Sequence, residues 1–141
     1  IMVAIFYHPD GYTSTGPKLM GRNAAGDSFL RGFFKYVSKQ EVFYIQIASA
    51  SHVELFSRAA KLSGREEEIR SFGNSELSTA AHAGNVYYPG PGIGEQAFRR
   101  LSSGTCNWSL CGITHTTSSA GAMDSIADWI TSPVQSWDAV I

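Results

Sequence analysis

With 141 residues, 43% of them hydrophobic, a net charge of −1 and a pI near 6.5, the chain has room for one ordinary globular domain. It lacks the basic surplus that holds nucleic acid or an anionic membrane. No apolar run approaches the ~20 residues of a membrane span and no signal-type segment precedes the first strand, so the chain reads as cytosolic. Cys106 and Cys111 have no second pair to complete a zinc site and read as reduced thiols.

Residues 2–7 (MVAIFY) are too short an apolar run for a typical helix and are rich in β-formers, which predicts a first strand buried on both faces. His8 and Pro9 stop it. A long loop punctuated by Gly11, Gly16, Pro17, Gly21 and Gly26 follows, and then Phe29, Leu30, Phe33, Phe34 and Val37 share one face of a helix. Strand, glycine-rich loop and helix open a βαβ unit. In such units the donors at the helix start and the carboxyl end of the strand face the crevice where ligands of open α/β sheets bind. Lys18 and Arg22 in this loop are either solvated cations or functional ones. A loop of this length favours function, and Arg22 offers a fork for a phosphate.

Residues 41–49 alternate into a second strand, and Ser51 with Glu54 predicts a capping box for a helix that Gly64 ends. Glu66, Glu67 and Glu68 read as a solvated face. A short third strand is expected at residues 69–72, a helical turn near 76–81, and a fourth strand at 86–88 closed by Pro89. Gly90, Gly92 and Gly94 then precede a helix starting near Glu95. The dinucleotide fingerprint needs glycine where this chain has Glu95, so the loop reads as a tight turn admitting a ligand hydroxyl or a neighbouring domain, or as a plain connector. No P-loop pattern and no G-x-S-x-G elbow occur.

The fifth strand, residues 108–114, stops at His115, around which Thr114, Thr116, Thr117, Ser118 and Ser119 crowd their hydroxyls. Residues 119–130 carry apolar side chains at helical spacing, and another apolar run begins at Asp138. Strands alternating with helices predict an α/β fold: a Rossmann-like, doubly wound, mainly parallel sheet with helices on both faces and strand order 3-2-1-4-5. That order sets the first strand beside the fourth, so His8 with its loop, residues 89–94 and His115 should line one crevice. A lone histidine in a strand is usually a core residue. At a carboxyl-end loop among hydroxyls it points instead to a polyol or a phosphate. For His8 the competing role is capping of the strand end.

The run GPKLMGRNAAGDSFLRGFF (residues 16–34) and Thr114-His115-Thr116-Thr117 at the fifth strand's end resemble the amino-terminal half of the GT-B nucleotide-sugar glycosyltransferases of the retaining group-1/group-4 type. Of that family's glycine pair in the first loop, Met20-Gly21 matches only the second. The resemblance implies a two-domain transferase whose carboxyl-terminal half, absent here, holds the nucleotide and the glutamates that contact the donor sugar. This chain is then the acceptor-side half. His115 is expected at the reaction centre, Lys18, Gly21 and Arg22 in the loop near the donor phosphates, and His8, Gly92, Gly94, Thr114, Thr116 and Thr117 around the acceptor cleft. The expected partners are a nucleotide sugar, a hydroxyl acceptor and a second copy through the exposed domain face, with no metal and no cofactor beyond the donor substrate. The native chain is expected to continue past Ile141, and this half alone to be inactive. The alternative is a small stand-alone ligand-binding domain of flavodoxin-like or response-regulator-like shape. A response regulator needs an acidic cluster after the first strand, where His8-Pro9-Asp10 supplies one acid.

Overall fold

The computed structural model describes residues 2–13, 21–104 and 107–141. Among them, strands β1 (Ala4–Phe6), β2 (Val42–Gln46), β3 (Glu68–Phe72), β4 (Asn85–Tyr87), β5 (Ser109–Gly112) and β6 (Ala139–Val140) form one sheet in the order β3-β2-β1-β4-β5-β6. Every pairing is parallel. The fold class and the order 3-2-1-4-5 read from the sequence hold, with β6 added beyond β5.

Alternation along each strand divides the apolar residues between two cores. Ala4, Tyr44, Val86 and Leu110 belong to one, and Ile5, Phe43, Ile45 and Tyr87 to the other. Helices α1 (Pro9–Tyr12), α2 (Gly21–Tyr36) and α3 (Ser51–Leu62) cover the second core with Tyr12, Leu30, Phe34, Phe56 and Ala60. The first is covered by Leu77 and Ala80 of a 3-10 segment, Asn74–His82, and by Ile93 and Ala97 of α4 (Ile93–Ser102). Helices thus lie on both faces. The last helix, α5 (Ala120–Ala127), buries none of its residues, but the 3-10 turn after it, Asp128–Thr131, packs Trp129 on the first core. Among the described residues no helix is long and apolar enough to cross a membrane.

Several local expectations give way to packing. Ala50 is already helical, so Ser51 sits inside α3 and caps nothing; Glu54 binds Arg58 at 3.3 Å instead of closing a capping box. Residues 9–12 form a helix, and Gly21 and Gly26 lie in α2 rather than in a loop. Gly26 is a helix–helix contact: a Cβ there would overlap the Gly11 carbonyl oxygen of α1. Glu66 and Glu68 are exposed, but the Glu67 side chain is only 4% exposed because Arg65 grips it. Arg65 also donates to the carbonyls of Phe34 (2.7 Å), Val37 (2.9 Å) and Ser38 (3.3 Å), satisfying the open end of α2. Helix α4 begins at Ile93, ahead of Glu95. Cys111 is a half-buried free thiol whose pKa burial raises; Cys106 lies outside the described residues.

Candidate ligand crevice at the strand switch point

The strand order reverses direction between β1 and β4, where the chain leaves the two strands towards opposite faces of the sheet. A crevice of about 820 Å³ opens at this end of the sheet. One wall is formed by Gly21, Arg22 and Ala25 of α2. Phe29 of the same helix stacks on Tyr87 of β4 with ring centroids 4.0 Å apart, which sets the helix start over the loop that follows that strand. The second wall is that loop, Pro89, Gly90 and Pro91. His115, Thr116 and the first turns of α5 (Ser119, Gly121, Ala122 and Ser125) complete the lining.

The Pro89–Pro91 wall is fixed by its carbonyls. Gly90 O accepts the Ile113 amide at 3.1 Å, and Pro91 O accepts both the Ile93 amide at 2.9 Å and Trp129 Nε1 at 2.8 Å. Just before it, the Tyr88 hydroxyl donates at 2.7 Å to Oε1 of the fully buried Gln46, whose Nε2 lies 3.4 Å from Asn74 Oδ1. Burial pushes the Tyr88 phenol well above its ordinary range, so it stays a donor. Three strand ends are tied together by this chain of side chains.

On the third wall, exposed His115 places Nε2 at 3.2 Å from Pro89 O. Thr116 Oγ1 lies 2.6 Å from Ser118 Oγ and accepts the Ser118 amide at 3.1 Å. Ser119 is the N-cap of α5 and accepts from the Ala122 amide at 3.1 Å. The capped start of α5 and Arg22 of α2 therefore meet in one crevice with hydroxyls between them, a setting that favours oxygen-rich ligands carrying negative charge.

Of the residues singled out in the sequence, Gly21, Arg22, His115 and Thr116 come together here. Lys18 lies outside the described residues. The others are elsewhere. His8 caps α1, its Nδ1 accepting the Asp10 amide at 3.3 Å, and its ring packs on His52 at 4.7 Å. Gly92 precedes α4 at its cap, and Gly94 is a packing position, since a Cβ there would come 2.5 Å from Ser132 Oγ. The Thr114 amide and hydroxyl both bind Ile141 O, at 2.7 and 3.3 Å, and so hold the end of β6; Thr117 is exposed beside the crevice without lining it. The start of α5 was missed, because its apolar spacing reads as a core-covering helix. The signal was present in Gly121, Ala122 and Ser125, small residues directly after the hydroxyl run. Among the described residues no three or more His, Cys, Asp or Glu gather as a metal set.

No family model, no curated protein and no solved structure matches this chain.

Proposed function

We propose that the chain is the acceptor-side half of a glycosyltransferase that moves a sugar from a nucleotide-sugar donor to a hydroxyl acceptor, with retention. The observation that carries this reading is the convergence of Gly21 and Arg22 of α2 with His115 and Thr116 in one crevice at the switch point. In this reading, Arg22 neutralises phosphoryl oxygens of the donor, while His115 and Thr116 orient sugar and acceptor hydroxyls. Only contacts that tighten as the sugar leaves the phosphate speed the transfer. The charge balance comes from protein donors, and no cofactor is assigned. The donor-binding half is supplied by a second α/β domain, and a second copy of the chain is assigned to the exposed domain face, which light scattering tests.

The stand-alone alternative is less well supported. Flavodoxin-like folds run 2-1-3-4-5, whereas this sheet runs 3-2-1-4-5-6. After β1 the chain places only Asp10, 90% exposed at its side chain, where a response regulator needs an acidic pocket.

The test is to express the native reading frame and measure nucleotide release from a panel of nucleotide sugars in the presence of hydroxyl acceptors. Release by the full frame and none by the 141-residue chain is expected, since this half alone cannot close water out of the reaction centre. Turnover by the 141-residue chain, or a native frame without a second α/β domain, overturns the proposal.

A further inference from the structure

We infer that the Pro89 carbonyl holds His115 as its Nε2–H tautomer, so that Nδ1 meets the crevice ligand as a hydrogen-bond acceptor and this wall selects a neutral hydroxyl over a phosphate oxygen. The inference rests on reading the crevice as the acceptor-side site.

His115 Nε2 lies 3.2 Å from Pro89 O. A carbonyl oxygen has no proton to give, so in a neutral ring the hydrogen sits on Nε2 and the lone pair on Nδ1. Neither end of this contact is loose. On the carbonyl side, Gly90 and Pro91 are tied to Ile113, Ile93 and Trp129, and Tyr88 is tied to buried Gln46. On the imidazole side, the Thr114 amide is held by Ile141 O at 2.7 Å, which anchors the backbone one residue before the ring. Two segments fixed to the sheet therefore set the tautomer.

The consequence is chemical selection. An accepting nitrogen pairs with a ligand O–H, whereas an ionised phosphate oxygen offers only lone pairs and meets an unfavourable contact. A donor for such an oxygen is found at the α2 wall, in Arg22. A ligand with one anionic and one hydroxyl-bearing end would thus have a preferred direction in the crevice, with His115 at the hydroxyl end.

Nitrogen-15 spectroscopy of histidine-labelled chain tests this, with His115→Ala identifying the two ring nitrogens among the four histidines. At about pH 8, where an ordinary imidazole is neutral, Nε2 is expected to carry the proton and Nδ1 to resonate as a bare imine-type nitrogen. An Nδ1–H ring or an even mixture of tautomers overturns the inference. Glucose and dimethyl phosphate, a diester anion with no O–H, are then added separately. Glucose is expected to shift Nδ1 in the direction of an accepted hydrogen bond and the diester to leave it unmoved. An equal shift with the diester, or no shift with either, overturns the hydroxyl selection. Both readouts are indifferent to turnover, so a full-length protein that transfers no sugar would sink the proposed function and leave the tautomer result standing.

Discussion

Arg100 and Asp138 meet as a two-pronged ion pair, Nη1 on Oδ1 and Nη2 on Oδ2, each at 2.7 Å, with both side chains withdrawn from water. Nη1 also donates to Trp108 O at 2.9 Å, and Asp138 accepts the Leu110 and Gln135 amides, both at 2.8 Å. The pair fastens α4 to the segment leading into β6. Removing one partner leaves a buried charge uncompensated, so Asp138→Ala should destabilise the fold by about 3–5 kcal/mol, read from urea unfolding. Replacing both together, Arg100→Met with Asp138→Asn, removes both charges while leaving an amide oxygen to accept a backbone amide, and should be milder. A double variant as unstable as the single one would contradict this account.

Glu67 gives the fold an acid-sensitive component. Hydrogen bonds from Arg65 hold its carboxyl down at about 2, against an ordinary value of 4.5. A folded-state value below the unfolded one means that the stabilisation is complete above about pH 4.5 and is lost as the pH falls towards 2. Asp138 acts in the same direction: burial pulls it up, but the Arg100 hydrogen bonds and the Gln135 and Leu110 amides outweigh that and lower it. The Glu67 share is on the order of 1–3 kcal/mol, the upper end being the whole shift at about 1.4 kcal/mol per unit. Melting temperatures through this window should fall less steeply for Glu67→Gln than for the parent chain, and parallel curves would rule the assignment out.

Two glycines of α2 should respond oppositely to the same substitution. Gly26→Ala drives a methyl group into the Gly11 carbonyl and should cost at least the ~1–3 kcal/mol of ordinary overpacking. Gly32→Ala meets nothing within 4 Å in mid-helix and should stabilise by roughly 0.5–1 kcal/mol. Denaturant midpoints of the two variants decide it, and shifts of the same sign would undo the packing argument for Gly26.

The proposed function predicts that His115→Ala, made in the product of the native reading frame, lowers kcat by about a hundred- to a thousand-fold, as expected when one preorganised contact to the transition state is lost. The ring is exposed and bonded to the single carbonyl of Pro89, so the melting temperature should hardly move. Near-normal turnover with a lowered melting point would leave His115 as a packing residue.

The sheet was legible because each of its central strands carries apolar residues at successive positions, as Phe43, Tyr44 and Ile45 do, and because connections of this kind are right-handed. That His115 and Arg22 share one crevice was legible because the switch-point rule ties a position in the chain to a position in space. What failed depended on contacts with distant segments. Gly94 and Gly26 looked like loop glycines but are closely approached by Ser132 and by the Gly11 backbone. Thr114 looked like its hydroxyl neighbours, yet Ile141 claims both its amide and its side chain. Glu67 sits between two exposed glutamates, and only the fold brings Arg65 and the end of α2 over it. Glycine, threonine and glutamate carry no local mark that separates these roles.

The pairing of β1 with β4 also bears on the order in which the chain folds. Asn85 Nδ2 reaches Met2 O at 3.1 Å from 83 positions away, whereas β1–β2 and β4–β5 are each joined by a shorter crossover. Closing the longer loop carries the larger entropic penalty, so each half of the sheet can assemble locally before the two meet. The crevice lies on that late junction. A refolding chain would regain most of its helix before it regained this crevice, and a partly frayed one would lose the crevice first.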